Sequence, residues 1–243
     1  MRLPSGSLTP RMKDQTWKQV WAARRLDTSL PTALWRLLAA DGMDTGFGTV
    51  SEDAWRRYVL ATAEKMGITP GASIFEVGCG AGAWLYELAR LGCQVAGLDS
   101  SPALIGYARE HLPDGDWSVR DAADVDPLPA YDFVVSSAAF LYFPSLDYAR
   151  SVLERMAGKA RHGLLVLDLP DLSKREADLI FRRQSYGESY DDRYRGLNHL
   201  YFERDWFTRV LNSLGAARIQ IEDQCIDGYG NSRYRFNVFA WQR

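Results

Sequence analysis

The apolar positions of this chain follow two periods. Between Ile74 and Leu167, short apolar runs alternate with stretches in which apolar residues recur every three or four positions. The runs beginning Ile74-Phe75-Glu76-Val77, Gln94-Val95-Ala96-Gly97-Leu98, Asp116-Trp117-Ser118-Val119-Arg120, Tyr131-Asp132-Phe133-Val134-Val135-Ser136 and Gly163-Leu164-Leu165-Val166-Leu167 predict five strands. Residues 83–91, 102–111 and 146–160 read as the helices between them, the second capped by Ser100 or Ser101. Strands joined this way pair in parallel through right-handed crossovers, and continuous runs such as 133–135 and 164–167 suit strands covered on both faces. Near the end, 217–222 and 234–239 alternate apolar and polar residues around a turn at 227–231, which predicts a closing antiparallel hairpin. The expected fold is α/β: a doubly wound, mostly parallel seven-stranded sheet.

Ahead of the first strand, Trp17, Val20, Trp21, Leu34, Trp35, Leu37 and Leu38 recur at helical spacing, with a break at Thr28-Ser29 before Pro31. Residues 41–48 form a predicted loop, and Ser51-Glu52-Asp53 cap a helix running to about Met66. The division expected is a helical extension over 1–68, able to act as a lid, and a core domain over 69–243. The core carries an aromatic, helical insert at about 172–205.

The stretch that organises the rest is Glu76-Val77-Gly78-Cys79-Gly80-Ala81-Gly82, between the first strand and its helix. Glycines give the turn dihedral freedom and let a ligand lie against the backbone. The helix start behind them is expected to offer unpaired N–H groups. Gly78, Gly80 and Ala83 fit a dinucleotide-binding pattern only loosely. The third glycine, Gly82, and Glu76 two residues ahead of the first make the stretch resemble the first motif of class I S-adenosylmethionine (SAM) methyltransferases. That resemblance covers about residues 70–170 and implies a SAM-binding Rossmann-like domain whose sheet ends in an antiparallel strand.

Ligands of open α/β sheets sit beyond the carboxyl ends of the strands, so strand ends supply the cofactor-binding candidates: Glu76, Gly78, Gly80, Gly82, Asp99, Ser100, Asp121, Ala122 and Ser136. A carboxylate at Asp99 can accept hydrogen bonds from both hydroxyls of a ribose. The resemblance implies that Asp121 takes the adenine amino group with a backbone N–H beside Ala122, that Ser136 lies near the sulfonium, and that Glu76 lies near the ammonium. A sulfonium methyl is already activated, so neither a metal nor a protein nucleophile is required. A base assists a hydroxyl or amine acceptor, and the candidates are Asp168 after the fifth strand, with Asp171 close behind, and His199 and Tyr186 in the insert. Tyrosines there could instead box the sulfonium.

Composition narrows the partners. A net charge of −2 and near-balanced charge in the insert argue against a nucleic-acid groove or an anionic membrane. Ser136-Ser137-Ala138-Ala139 after the fourth strand is unlike the Asn-Pro-Pro-Tyr motif of amino-methylating DNA and RNA enzymes. Cys79, Cys93 and Cys225 are too few for a disulfide framework and lack zinc spacing, so a reducing, cytoplasmic setting is expected. No signal peptide or membrane span is expected either. The expected activity is methyl transfer from SAM to a small molecule such as an amino acid, an amine or a natural-product intermediate. Two alternatives share the pocket: cyclisation of SAM to azetidine-2-carboxylate and methylthioadenosine, and SAM binding without turnover. A nicotinamide dehydrogenase is a poorer fit, for want of a second catalytic domain.

Overall fold

A computed structural model describes residues 16–43, 50–187 and 190–242. Strands β1 (Ser73–Val77), β2 (Gln94–Asp99), β3 (Asp116–Val119), β4 (Tyr131–Ser137) and β5 (Ala160–Pro170) run parallel. β6 (Arg218–Asp223) and β7 (Arg235–Trp241) form the closing hairpin, with β7 antiparallel to both β5 and β6. The sheet order is β3-β2-β1-β4-β5-β7-β6. Strand order reverses at β1 and β4, so the crevice above their carboxyl ends is the switch point where a ligand belongs.

The pleat divides the core. Ile74, Val135 and Leu165 face one apolar layer with Trp55 and Val59 of α3 (Glu52–Met66), Leu85 and Leu88 of α4 (Ala83–Arg90) and Leu104 and Ile105 of α5 (Pro102–His111). Phe75, Val77, Val134, Leu164 and Val166 face the other, with Val152 and Leu153 of α6 (Leu146–Lys159) and Phe207 and Leu211 of α9 (Arg204–Ser213). Both faces are covered, which is why the strand sequences run apolar without alternation.

The extension packs as α1 (Trp17–Ala22) and α2 (Ala33–Ala40), followed by α3. Thr32 caps α2 by accepting from the Trp35 N–H at 3.2 Å. Ser51 caps α3 at 3.1 Å and Ser101 caps α5 at 3.4 Å. The insert holds α7 (Arg175–Tyr186) and the short α8 (Tyr190–Arg193). Phe202 then returns the chain to the sheet, exchanging backbone hydrogen bonds with Pro170 and Leu172 at 2.9 Å each. β5 runs three residues beyond its expected end because β7 continues to pair with it at Leu169 and Pro170. Asp168 therefore lies within the strand, at an irregularity in the pairing, with φ of +61°. Among the described residues no helix is long and apolar enough to cross a membrane, and no cluster of His, Cys, Asp and Glu is arranged to hold a metal ion.

Candidate active site

A cavity of about 540 Å³ opens above the carboxyl ends of β1, β2 and β4. That is ample for a nucleoside-sized ligand, whose sites span about 300–1,000 Å³. Gly78, Cys79 and Gly80 form one side. Asp99, Ser100, Asp121 and Ala122 form the next, and Ser137, Ala138, Ala139 and Tyr142 a third. The extension supplies Trp17, Lys18, Trp21, Leu38, Asp41 and Trp55, and the insert adds Gly196, Leu197 and Asn198.

Three carboxylates converge here. Asp99 accepts from the Gly80 N–H at 3.0 Å and the Ser101 N–H at 2.8 Å. Glu76 is fully buried and its Oε2 has no hydrogen-bond partner. Asp41 accepts from the Ala81 N–H at 2.6 Å and the Ala83 N–H at 3.0 Å. Burial pushes all three carboxyls upward. For Glu76 the charges of Asp41 and Asp99 add to the push, and Glu76 lies well above the usual carboxylate range. Asp41 is raised to about 7, its two backbone hydrogen bonds opposing the shift and Asp99 reinforcing it. Asp99 is raised as well, with three backbone N–H groups opposing its desolvation. Like charges crowded in one poorly solvated place are relieved by taking up a proton or by a bound cation.

Asp41 corrects the expectation that the start of α4 is open to a ligand, since two of its N–H groups already hold a carboxylate. Its signal in the sequence is its position. Asp41 follows α2 as its C-terminal cap residue, where the helix dipole disfavours an acid, and it finds the N-terminus of α4, where the dipole favours one. Gly80 leaves room for it. A Cβ there would lie 2.9 Å from Asp41 Cγ, and closer still to Oδ1.

The predicted residues divide. Glu76, Gly78, Gly80, Asp99, Ser100, Asp121 and Ala122 all line the cavity. Gly82 does not; at φ of +89° it starts α4 and packs toward Leu112 and Trp117. Ser136 is fully buried and donates to the Val77 carbonyl at 2.8 Å, so its neighbour Ser137 lines the cavity instead. Asp121 accepts from Lys18 at 3.4 Å, from the Ala123 N–H at 3.1 Å and from the Tyr148 hydroxyl. Burial would raise its carboxyl, but these partners outweigh burial and hold it below its ordinary value.

Of the proposed bases, His199 stands behind the cavity wall, stacked on Trp17 at 4.7 Å and edge-on to Tyr142 at 5.5 Å. Burial, and then the charges of Arg182 and Arg235, hold it well below its ordinary value, so it is a neutral ring near pH 7. Asp168 is buried next to Arg235, away from the cavity lining. Asp171 is structural: it accepts from the Ser173 N–H at 3.0 Å and pairs with Arg204 at 2.8 Å. The Tyr186 side chain lies outside the described residues. Sequence reasoning missed Asp41, Lys18, Tyr142, Tyr148 and the indoles of Trp17, Trp21 and Trp84. All belong to the cavity, and apart from Asp41 nothing in their local sequence marks them.

Residues 74–163 match the family model described as a methyltransferase domain. That match spans the glycine turn, Asp99 and Asp121, the part of the chain that resembles class I SAM-dependent methyltransferases. Over 101 residues the chain is 35% identical to the magnesium-protoporphyrin O-methyltransferase of Rhodobacter capsulatus, covering 40% of this chain and 44% of that one. Over 124 residues it is 27% identical to the trans-aconitate 2-methyltransferase of Escherichia coli, covering 50% and 48%. The match thus spans about half the length of these relatives. The fold is shared with the magnesium protoporphyrin IX methyltransferase of Synechocystis, crystallised with S-adenosylhomocysteine (TM-score 0.57, 20% identity, 79% of this chain and 84% of that one). It is also shared with an amino pentose methyltransferase of Micromonospora echinaspora (0.59, 14%, 78% and 92%).

Proposed function

We propose that this chain transfers the methyl group of SAM to a small-molecule acceptor, with SAM held in the cavity described above. The observation that carries the reading is the buried Glu76 oxygen without a partner, set beside Asp41 and Asp99. SAM has a carboxylate, an ammonium and a sulfonium, hence a net positive charge, and suits a site with surplus negative charge. Asp99 would take the ribose hydroxyls, Asp121 and the backbone beside Ala122 the adenine edge, and Glu76 with Asp41 the ammonium. When bound, the sulfonium supplies an activated methyl carbon and needs only an aligned acceptor. The protein's part is to orient both and keep water out. Trp17, Trp21 and Tyr142 give the cavity an aromatic wall suited to a sulfonium, and α1 and α2 act as the lid.

The matched relatives are named for the small acceptors magnesium protoporphyrin and trans-aconitate, which supports a small acceptor here. Three free cysteines, two of them buried, fit work in the cytoplasm. The test is calorimetry with SAM on the cofactor-free protein, followed by mass spectrometry of the adenosyl product after incubation with candidate acceptors. Binding, and S-adenosylhomocysteine as product, are expected; Asp99→Ala should weaken binding at least tenfold. Methylthioadenosine would replace methyl transfer by cyclisation. No binding at all would end the reading.

A further inference from the structure

The described residues include nine buried side-chain polar atoms without a hydrogen-bond partner. Three of these atoms belong to residues that line the cavity: Glu76 Oε2, Trp84 Nε1 and Trp21 Nε1. The first is an acceptor, and the SAM reading gives it the ammonium. The other two are N–H donors. Their neighbours make them informative. Trp17, Trp21, Trp55 and Trp84 all line the cavity. Trp17 Nε1 donates to the Asn198 carbonyl at 2.9 Å, and Trp55 Nε1 donates to the Ala83 carbonyl at 3.0 Å. The chain thus supplies a carbonyl to two of these four indoles and nothing to the other two. A buried indole N–H usually has a partner, and leaving it without one costs free energy.

Both unpaired indoles belong to the neighbourhood of Asp41. Trp84 is 2% exposed and lies in the first turn of α4, one residue after Ala83, whose N–H is held by Asp41. Trp21 packs against Gly42, the residue that follows Asp41; a Cβ added there would lie 2.9 Å from its ring. The N-terminus of α4 would be an ordinary place for a carboxylate of a ligand, but Asp41 already takes the Ala81 and Ala83 N–H groups. The cations on the lining stand elsewhere. Lys18 pairs with Asp121 at 3.4 Å, and Arg120 precedes Asp121 in the chain.

With adenine at Asp121, ribose at Asp99 and the ammonium at Glu76, the amino-acid tail of SAM reaches the turn from which α4 starts. Among the described residues, the unpaired buried donors of the cavity there are the two indoles. We infer that Trp84 Nε1 and Trp21 Nε1 donate to the carboxylate of SAM, an assignment that rests on the SAM reading above. A carboxylate is an acceptor only, and two N–H donors give each of its oxygens a partner. Neutral donors also suit the charge of the site. An arginine in their place would be a second buried ion to desolvate, and it would cancel part of the negative charge that Glu76, Asp41 and Asp99 turn toward the ammonium and the sulfonium. The zwitterion is thereby sorted, its ammonium on acids and its carboxylate on indoles.

The test is a cycle between protein and ligand. Calorimetry measures the affinity of the parent, Trp84→Phe and Trp21→Phe for three ligands: SAM, decarboxylated SAM, and methylthioadenosine, which has no amino-acid tail. Phenylalanine keeps an aromatic ring and removes the N–H. Each substitution should weaken SAM about tenfold, the loss of one hydrogen bond to a charged group. Both ligands without the carboxylate should stay within twofold of the parent. A tryptophan with a purely structural role would weaken all three ligands alike, and that result overturns the inference. Unchanged SAM affinity in both folded variants overturns it too, as does a raised KM for an acceptor with SAM affinity unchanged, which would give the indoles to a carboxylate of the acceptor. Thermal melting reports whether the variants fold. If neither folds, the parent carries the test through isotopically labelled indole nitrogens. Two indole N–H signals should move downfield with SAM and not with decarboxylated SAM, and the same response to both ligands would overturn the inference. Failure of the parent to bind SAM would instead strike the cofactor reading.

Discussion

Replacing Asp41 by asparagine separates the charge of this residue from its shape. The carboxyl is raised from 3.8 to about 7, chiefly by burial. A shift of about three units corresponds to about 4 kcal/mol between protonation states. The carboxylate borders the cavity, so solvent screening reduces the usable figure to about 2–4 kcal/mol. The sign follows from linkage: the folded state binds the proton more tightly than the unfolded state, so stability is highest below the unfolded value and is lost as pH rises through 7. Asparagine removes that penalty but can accept from only one of the Ala81 and Ala83 N–H groups with its single oxygen, which costs about 1 kcal/mol. The SAM-free variant should therefore be more stable than the parent at pH 8 by about 1–3 kcal/mol, a Tm gain of about 2–10 °C for a chain of this size. The gain should shrink between pH 7 and pH 4 and be gone below. Thermal melts at pH 4, 6 and 8 measure it, and calorimetry of the same variant should show SAM bound at least tenfold more weakly. A variant that is less stable than the parent at pH 8, or whose gain is independent of pH, would refute the argument that Asp41 is held charged at a cost.

Two other substitutions probe the same neighbourhood. Gly80→Ala puts a Cβ into Asp41 and forces a non-glycine residue to φ of +55°; it should cost about 1–3 kcal/mol in thermal stability and weaken SAM binding in calorimetry. His199→Gln removes a ring kept neutral by burial and by Arg182 and Arg235. A lowered folded value means that the parent loses stability as pH falls through about 6.5, so the variant should melt less steeply with acid between pH 7 and pH 5. The pH dependence of methyl transfer in that range should be unchanged if His199 is not the base.

The sheet, its order of elements and two acids that line the cavity, Asp99 and Asp121, were legible because each is local. A strand ends in an acid at Asp99, and the next strand end is followed by one at Asp121. The glycine turn and Glu76 form a contiguous signature. What was not legible depends on residues far apart in the chain. Asp41 meets Ala81 across forty positions, and Trp17 meets His199 across more than 180. Ser136 and Ser137 differ only in which face of a strand each occupies, and a one-residue uncertainty in register exchanges them. Asp168 was expected after its strand because the apolar run stops at Leu167. The strand continues because β7, nearly seventy residues on, goes on pairing with it.

Asp41 also bears on which nucleotide the crevice can accept. A dinucleotide domain places a pyrophosphate against the N-terminus of the helix that follows the glycine turn, where N–H groups and the helix dipole favour negative charge. In this chain that position is held by a carboxylate of the protein, hydrogen-bonded to two of those N–H groups. A pyrophosphate there would meet Asp41 directly, with Glu76 and Asp99 close by, and anions crowded at a few ångströms repel strongly where water is scarce. A sulfonium nucleoside meets the opposite situation, for its positive centres face acids whose desolvation the backbone N–H groups offset only in part. The glycine turn alone leaves both nucleotides open. The acid brought over it by the N-terminal extension decides between them, and it does so by charge rather than by shape.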